Sequence, residues 1–324
     1  MNRTALLLTS LLTISPLASA ADQPIQMETP TGTIRGTLTL PLQASNVPVV
    51  LLIAGSGPTD RDGNTPMAAG KNDSLKMLAA ALRDIGLASV RFDKRGIAAS
   101  SGAARSESEL RFEHFVEDAA SWITLLANDS RFTSVAVLGH SEGSLIGLLA
   151  SLRSSAAAFV SLAGPADKAP VVLRRQLLGR LPPDLAARNE ETLRSLEAGS
   201  TVSEVPPPLM PLYRPSVQPY LISWFRYSPS EEIAKLTVPC LILQGGTDIQ
   251  VGVPDAHKLL AANDKCHLEV LPDMNHVLKT VPADVQKQMA SYGDPTLPLD
   301  GGLKRALEQF FSSARVRSAL RWLQ

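Results

Sequence analysis

The chain has 324 residues, of which 44% are hydrophobic and 19% are charged, so it can bury a large core and has an ordinary globular composition. Its formal net charge is zero, and it contains no long run of like charges. The composition therefore argues against a nucleic-acid partner or an anionic membrane surface, and it favours a neutral or mixed substrate.

The first twenty residues have the pattern of a secretory signal peptide. Arg3 gives a positive start, the segment from Ala5 to Leu12 is mostly apolar, and Ala18-Ser19-Ala20 offers a small-residue cleavage site. The apolar run is too short to span a bilayer, and no cysteine follows the site for lipid attachment. We expect a mature chain that begins at Ala21, lies in the periplasm or outside the cell, and has no stable membrane anchor.

Most of the remaining chain alternates short apolar segments with amphipathic ones. The pattern predicts strands over 33–40 (an edge strand), 47–54, 88–92, 135–138, 157–163, 238–244 and 266–271. It predicts helices over 73–85, 107–126, 254–262 and 303–311, and another after the strand at 135–138. Strands and helices that alternate at this spacing indicate an α/β fold, with a mostly parallel sheet covered by helices on both faces.

The alternation stops between Pro165 and Lys235. The first part of this segment is rich in Arg, Leu and Glu, whereas the second part is crowded with proline and aromatic residues. Such a segment between two core strands predicts a helical cap over the active site, at about residues 165–235. We expect most of its aromatic side chains to pack the cap onto a single domain that spans residues 21–324.

The segment 135–150 joins a β-branched strand to a helix of small residues through Gly139-His140-Ser141-Glu142-Gly143. A serine at a sharp strand-to-helix turn sits in strained backbone, and the two glycines remove Cβ atoms that would clash at that corner. The turn presents Ser141 at a helix N-terminus, where backbone N–H groups and the helix dipole favour negative charge. The segment is therefore predicted to be a nucleophile elbow.

A serine hydroxyl becomes an effective nucleophile when a base takes its proton and a third group orients that base. Parallel sheets place such groups beyond the carboxyl ends of their strands, where Asp248 and His276 follow two predicted strands. We predict that Asp248 is the orienting acid and His276 the general base, with Asp273 as a rival acid. The order Ser141, Asp248, His276 is the order found in α/β-hydrolases.

Acyl transfer passes through a tetrahedral oxyanion, which backbone N–H groups can stabilise. One donor is expected to be the N–H of Glu142, directly after the nucleophile, and the other should lie in the loop after the strand that ends at Ala54. Within that loop we select the N–H of Ser56, with Gly57 as the alternative. The helix dipole explains an acidic side chain at Glu142 without a catalytic role.

The segment Asp60-Arg61-Asp62-Gly63-Asn64 has some features of a calcium loop. Its glycine comes two positions early, however, and Lys71 occupies the position of the bidentate glutamate. We predict a network of Asx turns instead, with Arg61 as a candidate contact for a polar end of the substrate. No other group of His, Cys and Asp residues has zinc spacing, so no metal is expected.

Cys240 and Cys266 each open a predicted strand. If those strands are neighbours in a parallel sheet, their starts lie at the same end, and a disulfide can form in an oxidising compartment. Two buried thiols that act as small hydrophobic side chains are the alternative, and the sequence leaves both open.

Several motifs together resemble bacterial α/β-hydrolases of the serine aminopeptidase-like and EstD-like esterase type. The matching segments cover most of the chain after the signal peptide and are 53–64, 92–96, 139–143, 244–251 and 274–276. The resemblance implies hydrolysis of a small-molecule carboxylic ester without a cofactor, with Ser141, Asp248 and His276 at the matching family positions. Ala54-Gly55 departs from the His-Gly of many relatives, directly before the predicted donor Ser56.

Three other functions stay open at this point. An aminopeptidase or amidase would need an acidic or carbonyl-rich patch in the cap, to which Glu190, Glu191, Glu197, Glu204, Glu231 and Glu232 could contribute. A binding module would have lost the chemistry of Ser141, and an acyltransferase would pass the acyl group to an added alcohol. The natural substrate, the acyl chain length and the oligomeric state are not determined by the sequence.

Overall fold

The computed structural model describes residues 22–42 and 45–321, so the predicted signal peptide lies outside the described residues. The strands are β1 (Asp22–Thr29), β2 (Gly32–Thr39), β3 (Val47–Ile53), β4 (Ala88–Phe92), β5 (Phe132–His140), β6 (Ala158–Leu162), β7 (Cys240–Gly245) and β8 (His267–Leu271). The helices before β7 are α1 (Ser74–Asp84), α2 (Phe112–Ala127), α3 (Glu142–Leu152), α4 (Ala169–Leu177), α5 (Pro183–Glu197), α6 (Met210–Tyr213), α7 (Gln218–Trp224) and α8 (Pro229–Ile233). Those after β7 are α9 (Val253–Ala262), α10 (Val285–Ser291), α11 (Gly301–Ser312) and α12 (Ala314–Ala319). Short 3₁₀ helices span Ala98–Ala103, Glu107–Glu109 and Pro207–Leu209.

The strands form one sheet in the order β1-β2-β4-β3-β5-β6-β7-β8. The pairs β1/β2 and β2/β4 are antiparallel, and every later pair is parallel, which confirms the predicted α/β fold. All residues of β3 are buried because helices cover both faces. Val49, Leu51 and Ile53 pack into the cluster on the α2 and α3 side, whereas Val50 and Leu52 pack into the cluster on the α1 and α11 side.

The edge of the sheet differs from the prediction. The strand predicted at the edge is β2, but β1 pairs with it and forms the edge itself. The sequence of β1 is largely polar and its residues are mostly exposed, so the hydrophobic pattern did not reveal a strand there. The sequence pattern therefore did not predict this antiparallel hairpin.

The helix predicted over 107–126 is also shorter than expected. Leu110 and Arg111 are extended, and α2 begins only at Phe112, after the separate 3₁₀ turn at Glu107–Glu109. The Arg111 backbone N–H donates to His114 Nδ1 at 3.2 Å, a bond that caps the helix start. The capped start of α2 at Phe112 therefore divides a segment whose amphipathic pattern had suggested one continuous helix.

Helices α4 to α8 lie between β6 and β7, and we call residues 169–233 the inserted segment. Tyr220 and Trp224 of α7 pack on Phe112 of α2, with the Trp224 and Phe112 rings stacked at a centroid distance of 6.0 Å. Ser230 and Arg175 add polar contacts to the core, through the Ala166 carbonyl and Asp255. Aromatic packing and hydrogen bonds thus hold the inserted segment against the core.

The structure joins Cys240 and Cys266 in a disulfide, with their Cα atoms 4.6 Å apart. The bond links the amino ends of β7 and β8, which are parallel neighbours. Of the two alternatives that the sequence left open, the structure therefore has the disulfide. Among the described helices, none is long and apolar enough to cross a membrane.

Candidate active site

The turn between β5 and α3 holds Ser141 in an unusual backbone conformation, with φ at 56° and ψ at −123°. A Cβ atom on Gly139 would lie 2.0 Å from the Gly143 carbonyl oxygen, and one on Gly143 would lie 2.3 Å from that of Ile53. Neither position can therefore hold a larger residue without moving the backbone. The structure has the geometry of a nucleophile elbow, in which strain exposes the serine at the sheet's carboxyl edge.

Asp248 and His276 meet at the same edge, in the loops after β7 and β8. His276 Nδ1 lies 2.7 Å from Asp248 Oδ2, and both side chains are buried. The other carboxylate oxygen accepts hydrogen bonds from the backbone N–H groups of Gln250 and Val251, at 2.7 and 3.0 Å. Burial alone would raise the pKa of Asp248, but His276 and these N–H groups lower it below its usual value. Asp273 is exposed, and Asp248 holds the contact with His276.

His140 connects the elbow to the loop that carries His276. Its Nε2 lies 2.8 Å from the His276 carbonyl oxygen, and the two rings are 4.8 Å apart between centroids. Burial and the neighbouring His276 lower the pKa of His140 to about 3, so its imidazole is neutral. Because a carbonyl oxygen can only accept, Nε2 carries the hydrogen and donates it. The residue before Ser141 therefore holds His276 beside the elbow.

The loop after β3 runs directly against Ser141, since a Cβ atom on Gly55 would lie 3.2 Å from Ser141 Cβ. The backbone N–H groups of Ser56 and Glu142 donate to no acceptor among the described residues. Ser56 is exposed, and Glu142 begins α3, where the first N–H groups of a helix have no partner within it. The Gly57 N–H likewise has no acceptor among these residues, so the assignment of Ser56 and Glu142 as oxyanion donors, with Gly57 as the alternative to Ser56, stays a prediction.

The side chain of Glu142 makes specific contacts that the helix dipole alone does not explain. It is only 2% exposed, and its Oε2 forms an ion pair with Lys94 Nζ at 3.0 Å. Tyr220 of the inserted segment donates its hydroxyl hydrogen to Oε1, and burial together with Glu142 raises the pKa of Tyr220 well above its usual value. Sequence reasoning missed Lys94 and Tyr220. The motif at 92–96 was the signal for Lys94, whereas Tyr220 had none beyond an aromatic-rich stretch.

The 60–64 segment forms the predicted network of Asx turns. Asp60 Oδ1 accepts hydrogen bonds from the N–H groups of Asp62 and Asn64, both at 2.9 Å. Arg61 binds Asp93 at 2.8 Å and also donates to Thr37, and these contacts are those of a structural ion pair. The Arg61 side chain thus binds other residues of the protein, and its predicted contact with a substrate stays a prediction. In the part of the chain that the structure describes, no three His, Cys, Asp or Glu residues group as metal ligands.

The sequence matches the model of a known protein family. Residues 71–280 match the family model described as serine aminopeptidase, S33. The chain belongs to this family. The matched range of this S33-family chain includes Ser141, Asp248 and His276, together with Lys94 and the inserted segment.

Among characterised relatives, the S33-family chain is similar to Esterase EstD of Thermotoga maritima. The two are 30% identical over 261 residues, which cover 78% of this chain and 61% of the relative. The chain thus spans about three fifths of the length of that curated relative. The similarity includes most of this chain but not all of the relative.

Solved structures with the same fold include Est1E from Butyrivibrio proteoclasticus, solved with bound ferulic acid, at a TM-score of 0.60 and 16% identity. That match covers 89% of this chain and 100% of Est1E. The Pyrococcus furiosus esterase Pf2001 has a TM-score of 0.58 and 15% identity, with 97% of each chain covered. At these identities the similarity establishes the α/β-hydrolase fold.

Proposed function

We propose that the protein is a serine hydrolase that cleaves carboxylic esters through an acyl-enzyme intermediate. One observation carries the proposal: the buried His276–Asp248 pair lies at the same sheet edge as Ser141, whose strained turn is joined to the His276 loop through His140. The similarity to a protein named Esterase EstD supports an ester as the substrate class.

In the first half of the reaction, Ser141 Oγ attacks the ester carbonyl carbon while His276 Nε2 takes the hydroxyl proton. Asp248 keeps Nδ1–H of His276 in one orientation and stabilises the imidazolium that forms. The N–H groups of Ser56 and Glu142 donate to the oxyanion. The intermediate then collapses, the C–O bond breaks, and the alcohol leaves with the proton from His276.

In the second half, His276 takes a proton from water, and the resulting nucleophile attacks the acyl-serine carbonyl. The same N–H groups stabilise the second oxyanion, after which the carboxylic acid leaves and Ser141 regains its proton from His276. Apart from this water molecule, the steps use only side chains and backbone groups of this chain, so the mechanism requires no cofactor.

The acidic residues of the inserted segment bear on the aminopeptidase alternative. Glu190 and Glu197 both bind Arg174, and Glu191 and Glu232 bind Arg188 and Lys235. Arginine and lysine side chains therefore neutralise much of the acidic surface that would recognise a free amine. These pairs favour an ester over an N-terminal amine as the substrate.

We also propose that the inserted segment acts as the cap that selects the acyl chain. Its helices follow β6, and Tyr220 reaches Glu142, the residue after Ser141. Side chains on α7 therefore lie close enough to the elbow to limit the length of a bound acyl group. A p-nitrophenyl ester series, from acetate to long-chain esters, should show a preference for one length.

The activity test compares the chain from Ala21 onward with Ser141→Ala on p-nitrophenyl esters and on aminoacyl-anilides. We expect ester turnover that falls by roughly 10⁵-fold or more in Ser141→Ala. Ser144→Ala is the matched control, because it removes a nearby hydroxyl that is bonded to Ser161. This control should retain its turnover.

Other results would point elsewhere. Better cleavage of the anilides would favour the aminopeptidase, and transfer of the acyl group to an added alcohol would reveal an acyltransferase. A protein that turns over neither substrate and is not labelled at Ser141 by a fluorophosphonate would be a binding module, contrary to the proposal.

We propose, finally, that the protein works in an oxidising compartment outside the cytoplasm. The signal-like first twenty residues and the Cys240–Cys266 disulfide support this location. Expression of the full sequence in a Gram-negative host, followed by fractionation and N-terminal sequencing, should yield periplasmic protein that starts at Ala21. Cytoplasmic protein that keeps residues 1–20 would contradict the proposal.

A further inference from the structure

Lys94 lies in the loop after β4, and its side chain is only 2% exposed. Its ammonium group donates to the Gly55 carbonyl oxygen at 2.5 Å and to Glu142 Oε2 at 3.0 Å. It also lies 5.4 Å from the centroid of the Phe115 ring. An ammonium group removed from water is costly, and these contacts offset that cost. The reaction described above gives this buried cation no role.

The sheet order explains how one side chain reaches both partners. Strand β3 lies between β4 and β5, so the carboxyl ends of the three strands are side by side. Lys94 follows the first of these ends, Gly55 the second and Glu142 the third. Lys94 therefore bridges the loop that holds one predicted oxyanion donor and the helix that holds the other.

The geometry of the peptide group gives this bridge a chemical consequence. The bond between Gly55 and Ser56 is trans, so the Gly55 carbonyl and the Ser56 N–H point in opposite directions. A cation on the carbonyl oxygen fixes the plane of this peptide and draws electron density away from its nitrogen. The bond from Lys94 to the Gly55 carbonyl is buried, and the low local dielectric strengthens this bond and the polarisation that it passes to the next one. The N–H of Ser56 thereby becomes a fixed and stronger donor.

We propose that Lys94 is a positioning residue for the oxyanion hole. It orients and polarises the Gly55–Ser56 peptide, and its ion pair with Glu142 fixes the spacing between Ser56 N–H and Glu142 N–H. The inference rests on the proposed ester hydrolysis, because it assigns Lys94 to the oxyanion of that reaction. It predicts that Lys94 acts on the transition state more than on the bound substrate.

Arg95, the next residue, provides a matched control. Its guanidinium forms a partly buried ion pair with Asp118 of α2 at 2.5 Å and also binds Thr31 and the Ala103 carbonyl. Both pairs thus join the loop after β4 to a helix on the same face of the sheet. Only the Lys94 pair also holds the carbonyl of Gly55.

The test compares Lys94→Met combined with Glu142→Gln against Arg95→Met combined with Asp118→Asn. Each double variant removes both charges of an ion pair, so no charge is left without its partner. We would measure kcat and KM with a p-nitrophenyl ester, the inhibition constant of phenylboronic acid, and Tm. The boronate forms a tetrahedral adduct with the serine and thus reports on the oxyanion hole.

For the Lys94 double variant we expect kcat to fall by about 10²-fold, with KM changed by less than about threefold. Boronate inhibition should weaken in parallel with kcat. For the Arg95 double variant we expect a lower Tm with kcat unchanged. A folded Lys94 double variant whose kcat and boronate inhibition match the wild type would overturn the inference.

If the Lys94 double variant does not fold, Lys94→Gln decides the question through an ester and its thionoester. Sulfur is the weaker hydrogen-bond acceptor, so a damaged oxyanion hole should lower the ester rate more than the thionoester rate. A merely structural defect would lower both rates equally and would overturn the inference. A wild-type protein without any esterase activity would instead overturn the proposed function, and the inference with it.

Discussion

The two ends of the parallel strands have different compositions. At the carboxyl ends of β4, β5, β7 and β8, the last strand residue or the segment that follows it buries ionisable side chains: Lys94, His140, Glu142, Asp248 and His276. At the amino ends of β7 and β8, the described residues are joined instead by the Cys240–Cys266 disulfide. Buried charges are costly unless they are paired, whereas a disulfide constrains the unfolded chain. We therefore expect changes at the carboxyl end to affect catalysis and those at the amino end to affect stability.

Among the substitutions that test this difference between the two ends, Asp248→Asn is expected to have the largest effect. The substitution keeps the size of the side chain but removes the carboxylate that orients His276. We expect kcat for a p-nitrophenyl ester to fall by roughly 10⁴-fold, because His276 loses its correct tautomer and its partner in the transition state. Asp273→Asn is the control, since Asp273 is exposed, and it should leave kcat unchanged. A larger loss of kcat in Asp273→Asn than in Asp248→Asn would indicate that Asp273 is the orienting acid.

The opposite result is expected from Cys240→Ala combined with Cys266→Ala. The disulfide closes a loop with a sequence separation of 26, so its removal should lower the free energy of unfolding by about 3 kcal/mol. We expect kcat at 25 °C to stay unchanged, because the bond lies at the other end of β7 from Asp248. Denaturant unfolding and ester turnover of the same preparations would check both points. A fall in kcat without loss of stability would break the distinction between the two ends.

A smaller effect is expected from His140 in acid. Its folded pKa of about 3 lies below the ordinary value of 6.5, so between these two values the unfolded state binds the proton that the folded state excludes. The contribution of His140 to stability is therefore full above pH 6.5 and is lost as the pH falls towards 3. His140→Gln keeps a donor for the His276 carbonyl but does not titrate. The Tm of the wild type should consequently fall more steeply with acid than that of His140→Gln, whereas parallel curves would contradict the assignment.

The sequence alone determined the features that depend on local pattern. The continuous apolar run of β3 indicated a strand covered on both faces, because its alternate residues enter two cores. The two glycines around Ser141 indicated the elbow, because a Cβ atom at either position would collide with backbone. The contact between Asp248 and His276 could be predicted because each residue follows a strand of a parallel sheet. In each case, a few neighbouring residues carry the whole physical argument.

Only the tertiary structure decided which distant groups meet. Gly55, Lys94 and Glu142 come together because β3 lies between β4 and β5, and strand order cannot be read from periodicity. The polar strand β1 forms the edge because it pairs with β2, although its own pattern is weak. Hydrophobic periodicity reports which face of an element is buried, but the partner of a buried charge depends on the path of the chain. For that reason the sequence indicated where Ser141 lies, and the fold determined which charges surround it.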